Sequence, residues 1–127
     1  MTSGNHGQAR LLVVDDDHDL CAVMQSILED EGYAVEAAGD GLEAIGAAAR
    51  HPPRLVVLDI RLPGASGPEV ARRLREAHAS GLPILAVTAD GSAARKAREV
   101  GAYAYLRKPF ELHDFLDVVR RGLEPFA

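Results

Sequence analysis

Three observations predict an α/β fold with a doubly wound, five-stranded parallel sheet. Short apolar runs alternate with helical patterns along the chain, and strands that alternate with helices pair in parallel through right-handed crossovers. The runs Leu11–Val14, Leu55–Leu58 and Ile84–Val87 are apolar throughout, as strands covered on both faces must be. Each also stops at a polar residue, at Asp15-Asp16, Asp59 and Thr88, and a further run, Tyr103–Arg107, stops at Lys108-Pro109.

The elements follow in order. After the first strand, Leu20, Val23, Met24, Ile27 and Leu28 recur with helical spacing, and Gly32 stops that helix. Tyr33 to Ala37 forms a second strand, whose Glu36 suits a sheet edge. Asp40 is placed to cap a second helix ending near Arg50. Pro52-Pro53 then break the chain before the strand Arg54–Leu58. A loop from Ile60 to Gly67 leads to a third helix with Pro68 at its first position, where proline's missing N–H costs nothing. Val70, Leu74 and Ala77 face its core side, and Gly81 ends the unit. The strand Pro83–Val87 follows. Ser92 is placed to cap a short, Ala-rich fourth helix, Ala93–Val100, which Gly101 terminates. The last helix, about Phe110 to Gly122, carries Leu112, Phe115, Leu116 and Val119 on one face. Residues 1–9 read as a loose tail, 10–123 as one domain and 124–127 as its C-terminal end.

At 127 residues, 47% apolar and 26% charged, the chain has the size and composition of one globular domain. Its apolar runs are too short to cross a bilayer, and Met1–Gln8 lacks an apolar signal core, so a cytoplasmic location is expected. A net charge of −5 argues against nucleic-acid binding. Arg72, Arg73 and Arg75 share their stretch with Glu69 and Glu76, the pattern of a solvated helix face. Cys21, the only cysteine, reads as a small buried thiol.

Parallel strands would bring all the polar run ends to one sheet edge, where open α/β folds bind ligands. Asp15 and Asp16 repel one another unless a cation neutralises them. Mg²⁺ suits such a site, since it takes one or two carboxylates together with phosphate oxygens. Asp59 completes the acidic pocket, and its carboxylate is a candidate nucleophile toward phosphorus. Lys108 and the Thr88 hydroxyl could then take phosphoryl oxygens, with small Ala89 leaving the approach open. Singly, each residue has a structural alternative, Asp17 or His18 as a helix cap among them; together, in this order, they point to phosphate chemistry.

Over residues 9 to 123 the chain resembles the receiver domain of two-component response regulators. The segments that carry the resemblance are Leu11–Asp17, Leu58–Gly67, Val87-Thr88-Ala89 and Leu106–Phe110. It implies a flavodoxin-like (βα)5 fold with strand order 2-1-3-4-5. It also implies that Asp59 accepts a phosphoryl group from a sensor histidine kinase or histidine phosphotransfer protein. Asp16, Asp59 and the Ile60 backbone carbonyl would bind Mg²⁺, with Asp15 acting through water. Thr88 and Lys108 would contact the phosphoryl oxygens, and the Lys108-Pro109 bond would be cis. Tyr105 matches the switch aromatic, which turns inward as Thr88 moves toward the phosphate.

Two features depart from the family. Thr88 and Lys108 are 20 positions apart (108 − 88), about two fewer than usual, so the loop into the fourth helix is tight or that helix short. Tyr103 is an unusual aromatic on the side of Tyr105 and Arg107, read either as an edge-strand residue or as part of a partner-binding patch. Arg61 and Asp90 are expected to flank the site's mouth and tune hydrolysis of the phosphoaspartate, by pairing with each other or otherwise. A weak exposed salt bridge is the alternative.

The leading functional expectation is a stand-alone receiver that works by phosphorylation-dependent protein contact or by relaying phosphate onward, and that catalyses only its own phosphorylation and dephosphorylation. It would act on an unknown output protein, with a phosphorylation-dependent dimer left open and no nucleic acid or membrane partner. The alternative is a receiver fragment of a larger transcription factor or hybrid histidine kinase. A Mg²⁺-dependent phosphatase is less well supported, because Ile60 and Arg61 follow Asp59 where a second acid–base carboxylate would be needed.

Overall fold

The computed structural model describes residues 9–62, 64, 66–77, 81–89 and 91–124. Its strands are β1 (Arg10–Val14), β2 (Ala34–Ala38), β3 (Leu55–Asp59), β4 (Ile84–Thr88) and β5 (Ala104–Arg107). Its helices are α1 (His18–Asp30), α2 (Gly41–Arg50), α3 (Gly67–Ala77), α4 (Ala93–Val100) and α5 (Leu112–Leu123). All strand pairs are parallel, as the alternation of strands and helices predicts, and the sheet order is β2-β1-β3-β4-β5, as the family resemblance implies.

Alternation along the strands sorts the core into two layers. Leu12, Val14, Val56, Leu58, Ile84 and Ala86 pack beneath α2, α3 and α4. Leu11, Val13, Leu55, Val57, Leu85 and Val87 face α1 and α5, whose Met24, Leu28, Phe115 and Val119 close that layer. The edge strand β2 is only partly buried up to Ala38, which accommodates Glu36.

Strand ends differ from the sequence reading by one residue. Asp59 lies opposite Val87, and Thr88 opposite Arg107, so both belong to the sheet. Apolarity marks where side chains are buried, whereas the ladder is made by the backbone and continues past the first polar side chain. At the other end, Ala9 does not belong to a tail: it is buried and its carbonyl accepts the Ala34 N–H at 3.0 Å.

The helix starts show which capping expectations hold. Asp40 accepts the Glu43 N–H at 2.8 Å, as expected. Ser66, not Pro68, marks the start of α3: its Oγ accepts the Glu69 N–H and its carbonyl the Val70 N–H. Pro68 is the second helical residue, where its missing N–H is still outside the intrahelical ladder. Ser92 occupies the cap position of α4 without a side-chain cap bond, whereas Gly101 ends that helix in the left-handed region (φ 68°). Val23, Ala77 and Leu112, expected on core faces, are exposed, since one helix buries a stripe narrower than its full apolar pattern.

Candidate functional site

The carboxyl ends of β1, β3, β4 and β5 converge on one edge. Asp15 follows β1 directly and is 1% exposed; Asp59 ends β3 at 4%; Thr88 ends β4 and is fully buried. Asp16 is exposed at the rim. Oxygens of Asp15, Asp16 and Asp59 all lie within 4.8 Å of one another. Lys108, just past β5, reaches in from the opposite side. Its ammonium lies 2.8 Å from Asp15 Oδ2 and 3.1 Å from Asp59 Oδ2. The Lys108 N–H donates to the Thr88 carbonyl at 2.9 Å, which ties the lysine to the end of β4.

The local backbone fixes the acidic side chains. Asp17 caps α1 by accepting the Leu20 N–H at 3.1 Å, so neither Asp15 nor Asp16 is spent on that task. Asp15 Oδ1 accepts the Asp17 N–H at 2.9 Å, and Asp59 Oδ1 accepts the Arg61 N–H at 3.0 Å. Ile60, buried, is pressed by the start of α3: a Cβ on Gly67 would crowd the Ile60 carbonyl oxygen at 3.1 Å, so glycine permits this approach.

Electrostatics favour a cation. Three carboxylates face one ammonium, and Asp15 Oδ2, shielded from solvent, has the Lys108 charge beside it but no hydrogen bond of good geometry. Burial pushes the Asp59 carboxyl above its ordinary value, with Asp15 adding to the rise while the Arg61 N–H and Lys108 oppose it. Burial alone would lower the Lys108 ammonium, but contacts with Asp15 and Asp59 outweigh it and raise the value. The donor set fits a hard divalent ion such as Mg²⁺, which prefers oxygen ligands and is held by one or two carboxylates.

The other sequence-predicted residues fall around this cluster. Ala89 is exposed beside Thr88, and Arg61 is exposed beside Asp59. Asp90 lies outside the described residues, as do Pro63 and Ala65 of the matching segment. The Lys108-Pro109 peptide is cis. Tyr105 is 47% exposed on β5. Cys21 is buried, and burial together with Asp15, Glu43 and Asp17 raises its thiol pKa, as an inert thiol requires.

Comparison with known proteins matches residues 11–120 to the response regulator receiver domain. The chain belongs to that family. The receiver is 40% identical over 118 residues to the uncharacterised transcriptional regulatory protein YkoG of Bacillus subtilis, covering 91% of this chain and 51% of that protein. It is 41% identical over 113 residues to response regulator MprA of Mycobacterium leprae, covering 87% and 49%. It thus spans about half the length of these curated relatives. Among solved structures, Vibrio cholerae chemotaxis protein CheY4 superposes with a TM-score of 0.84 at 31% identity, over 91% of this chain and 99% of that one. The receiver domain of NtrX from Brucella abortus gives 0.82 at 34% identity, over 91% and 99%.

Two contacts of this receiver had no signal in the motifs. Arg75 is not merely part of a solvated face: it leaves α3 and donates to the Val100 and Gly101 carbonyls at 2.6 and 2.8 Å, closing the end of α4. The Tyr103 hydroxyl donates to the Val118 carbonyl of α5 at 2.8 Å, so this tyrosine is anchored although 39% of its surface is exposed. Arg72 does conform to the solvated face, pairing with Glu69 and Glu76.

Proposed function

We propose that this receiver is a phosphorylation-dependent switch in which Asp59 takes a phosphoryl group from a phosphohistidine of a sensor kinase or phosphotransfer protein. The observation that carries the reading is the convergence of Asp15, Asp16 and Asp59 on Lys108, an acidic cluster with an ammonium already at the acceptor carboxylate. An Asp59 oxygen forms the new O–P bond as the donor's N–P bond breaks, and the donor imidazole leaves with the electron pair and takes up a proton. The Arg61 N–H holds Asp59 Oδ1 and so fixes the carboxylate's orientation. Asp16, Asp59 and the Ile60 carbonyl, with Asp15 behind them, would hold Mg²⁺, which when bound supplies positive charge to the phosphoryl oxygens. Lys108 transfers its ammonium from Asp59 Oδ2 to a phosphoryl oxygen, and the Thr88 hydroxyl takes another.

Thr88 and Tyr105 then carry the signal: drawing Thr88 toward the phosphoryl group favours an inward position of Tyr105, a shift between two packings. Ala89, Asp90 and Arg61 would set the access of water and hence the phosphoryl lifetime. Turnover is confined to the protein's own phosphoaspartate. Incubation with Mg²⁺ and a small phosphodonor tests the acceptor: a gain of about 80 Da that Asp59→Asn abolishes is expected for an aspartyl phosphate, and no gain in the intact protein would overturn it.

The half-length match to YkoG and MprA favours a second reading of the output, in which the receiver serves a longer transcriptional regulator. The full reading frame of the gene separates that from a stand-alone switch.

A further inference from the structure

At the sheet edge opposite the acidic cluster, the approaches to β3, β4 and β5 and the end of α5 frame a cavity of about 650 Å³. That is within the range of small-molecule sites, roughly 300–1,000 Å³. Its charge runs against that of the chain. Arg54 from the loop before β3, Arg75 from α3 and Arg121 from α5 line it, with Glu124 the one carboxylate among the described lining residues, in a protein of net charge −5.

The donors are not used up. A guanidinium has five N–H donors, and Arg75 spends one from each terminal nitrogen on the Val100 and Gly101 carbonyls. It has no carboxylate partner among the described residues, although burial pushes its pKa below the ordinary value. Arg54 likewise has no ion pair among the described residues, while Arg121 is held at 2.8 Å by Asp117. Gly81 borders open space, where a Cβ would meet nothing within 4 Å, while Gly101 packs against Arg75 and Gly122 against Tyr103. Tyr103 adds an aromatic wall whose hydroxyl is already committed to Val118.

We infer that this cavity binds a small phosphate-bearing anion, gripped by Arg54, Arg75 and Arg121 and laid against Tyr103. Guanidinium groups match phosphate oxygens in paired hydrogen bonds and stay charged when partly desolvated. The site is separated from the phosphoacceptor by the length of the strands, roughly 16 Å for five residues, and it stands independently of the function proposed above.

The test uses the Asp59→Asn protein in chelator, which removes the acidic cluster as a competing phosphate site. Pyrophosphate and AMP are titrated while backbone amide resonances are followed by NMR, with adenosine as the uncharged control. Saturable shifts at Gly81, Gly101 and Gly122, absent with adenosine, are expected. The double substitution Arg54→Gln/Arg121→Gln should weaken binding at least tenfold, a loss equal to about 1.4 kcal/mol. Neither side chain holds the fold together, so the variant reports on the site. Absence of saturation with either anion, shifts confined to the opposite edge, or unchanged affinity in the double variant would overturn the inference.

Discussion

The Lys108 ammonium donates to Asp59 Oδ2 at 3.1 Å, joining residues 49 positions apart at the buried end of the sheet. The pair does not balance the site, because Asp15 and Asp16 add two more carboxylates within reach. The acidic cluster is therefore held together by the fold against its own repulsion. That makes its charge state visible in stability.

Asp59→Asn should stabilise the metal-free protein at neutral pH. Burial raises the Asp59 pKa in the folded state, so the folded chain binds this proton more tightly than the unfolded one. Stability then falls as pH rises from the unfolded value, about 3.9, through the folded value. Asparagine removes that loss. Thermal melts in chelator should place the variant a few degrees above the wild type at pH 7, with the gap closing near pH 4. A variant less stable at pH 7 would mean that the Lys108 contact outweighs the burial of charge.

Mg²⁺ should offset the same repulsion. A ligand bound only by the folded state stabilises it by about 2.7 kcal/mol at a hundredfold excess over its dissociation constant. Asp16 is exposed, so Asp16→Asn should shift metal-free stability by no more than about 0.5 kcal/mol. It should, however, remove most of the Mg²⁺-induced rise in melting temperature. An undiminished rise would place the ion elsewhere.

Lys108→Ala leaves Asp15 Oδ2 buried with no charge beside it. A loss of about 1–3 kcal/mol in chelator is expected for an unsatisfied buried group. In the wild type, the raised Lys108 pKa makes its contribution complete below the unfolded value, about 10.4, and lost only as pH climbs through the folded one. Urea titrations at neutral and alkaline pH should therefore converge for the two proteins only in strong alkali.

Most of the candidate acidic site was legible because its buried polar residues sit where apolar runs stop. Asp15, Asp59 and Thr88 are marked by the change from buried strand to polar end, and parallel pairing does the rest. Arg75 and Tyr103 were not legible, since their partners are main-chain carbonyls, at Val100, Gly101 and Val118, which carry no side-chain signature. The extra exposure of Val23 and Leu112 escaped for a similar reason: periodicity gives a face, but the neighbouring helices decide how wide it is.

Cys21 should be inert to thiol reagents despite its place one helical turn from the acidic cluster. Burial and the Asp15, Glu43 and Asp17 charges all disfavour its thiolate. Labelling of the native protein with an aromatic disulfide at pH 8 should run far slower than in denaturant, since the thiolate is the reactive form. Rapid labelling of folded protein would show that α1 opens readily from β1.

The anchoring of β5 to α5 is testable at Gly122. Alanine in place of glycine within a helix ordinarily gains roughly 0.5–1 kcal/mol, but here a Cβ would overlap Cζ and the hydroxyl oxygen of Tyr103 and approach Leu55. Gly122→Ala should therefore destabilise the protein, and Tyr103→Phe should cost about 0.5–1.5 kcal/mol through the bond to Val118. If the steric overlap is the cause, Tyr103→Ala should rescue part of the Gly122→Ala loss, so that the double variant is more stable than the sum of the singles. Strict additivity of the two losses in urea unfolding would show that Gly122 serves another contact, with Leu55 the remaining neighbour to account for it.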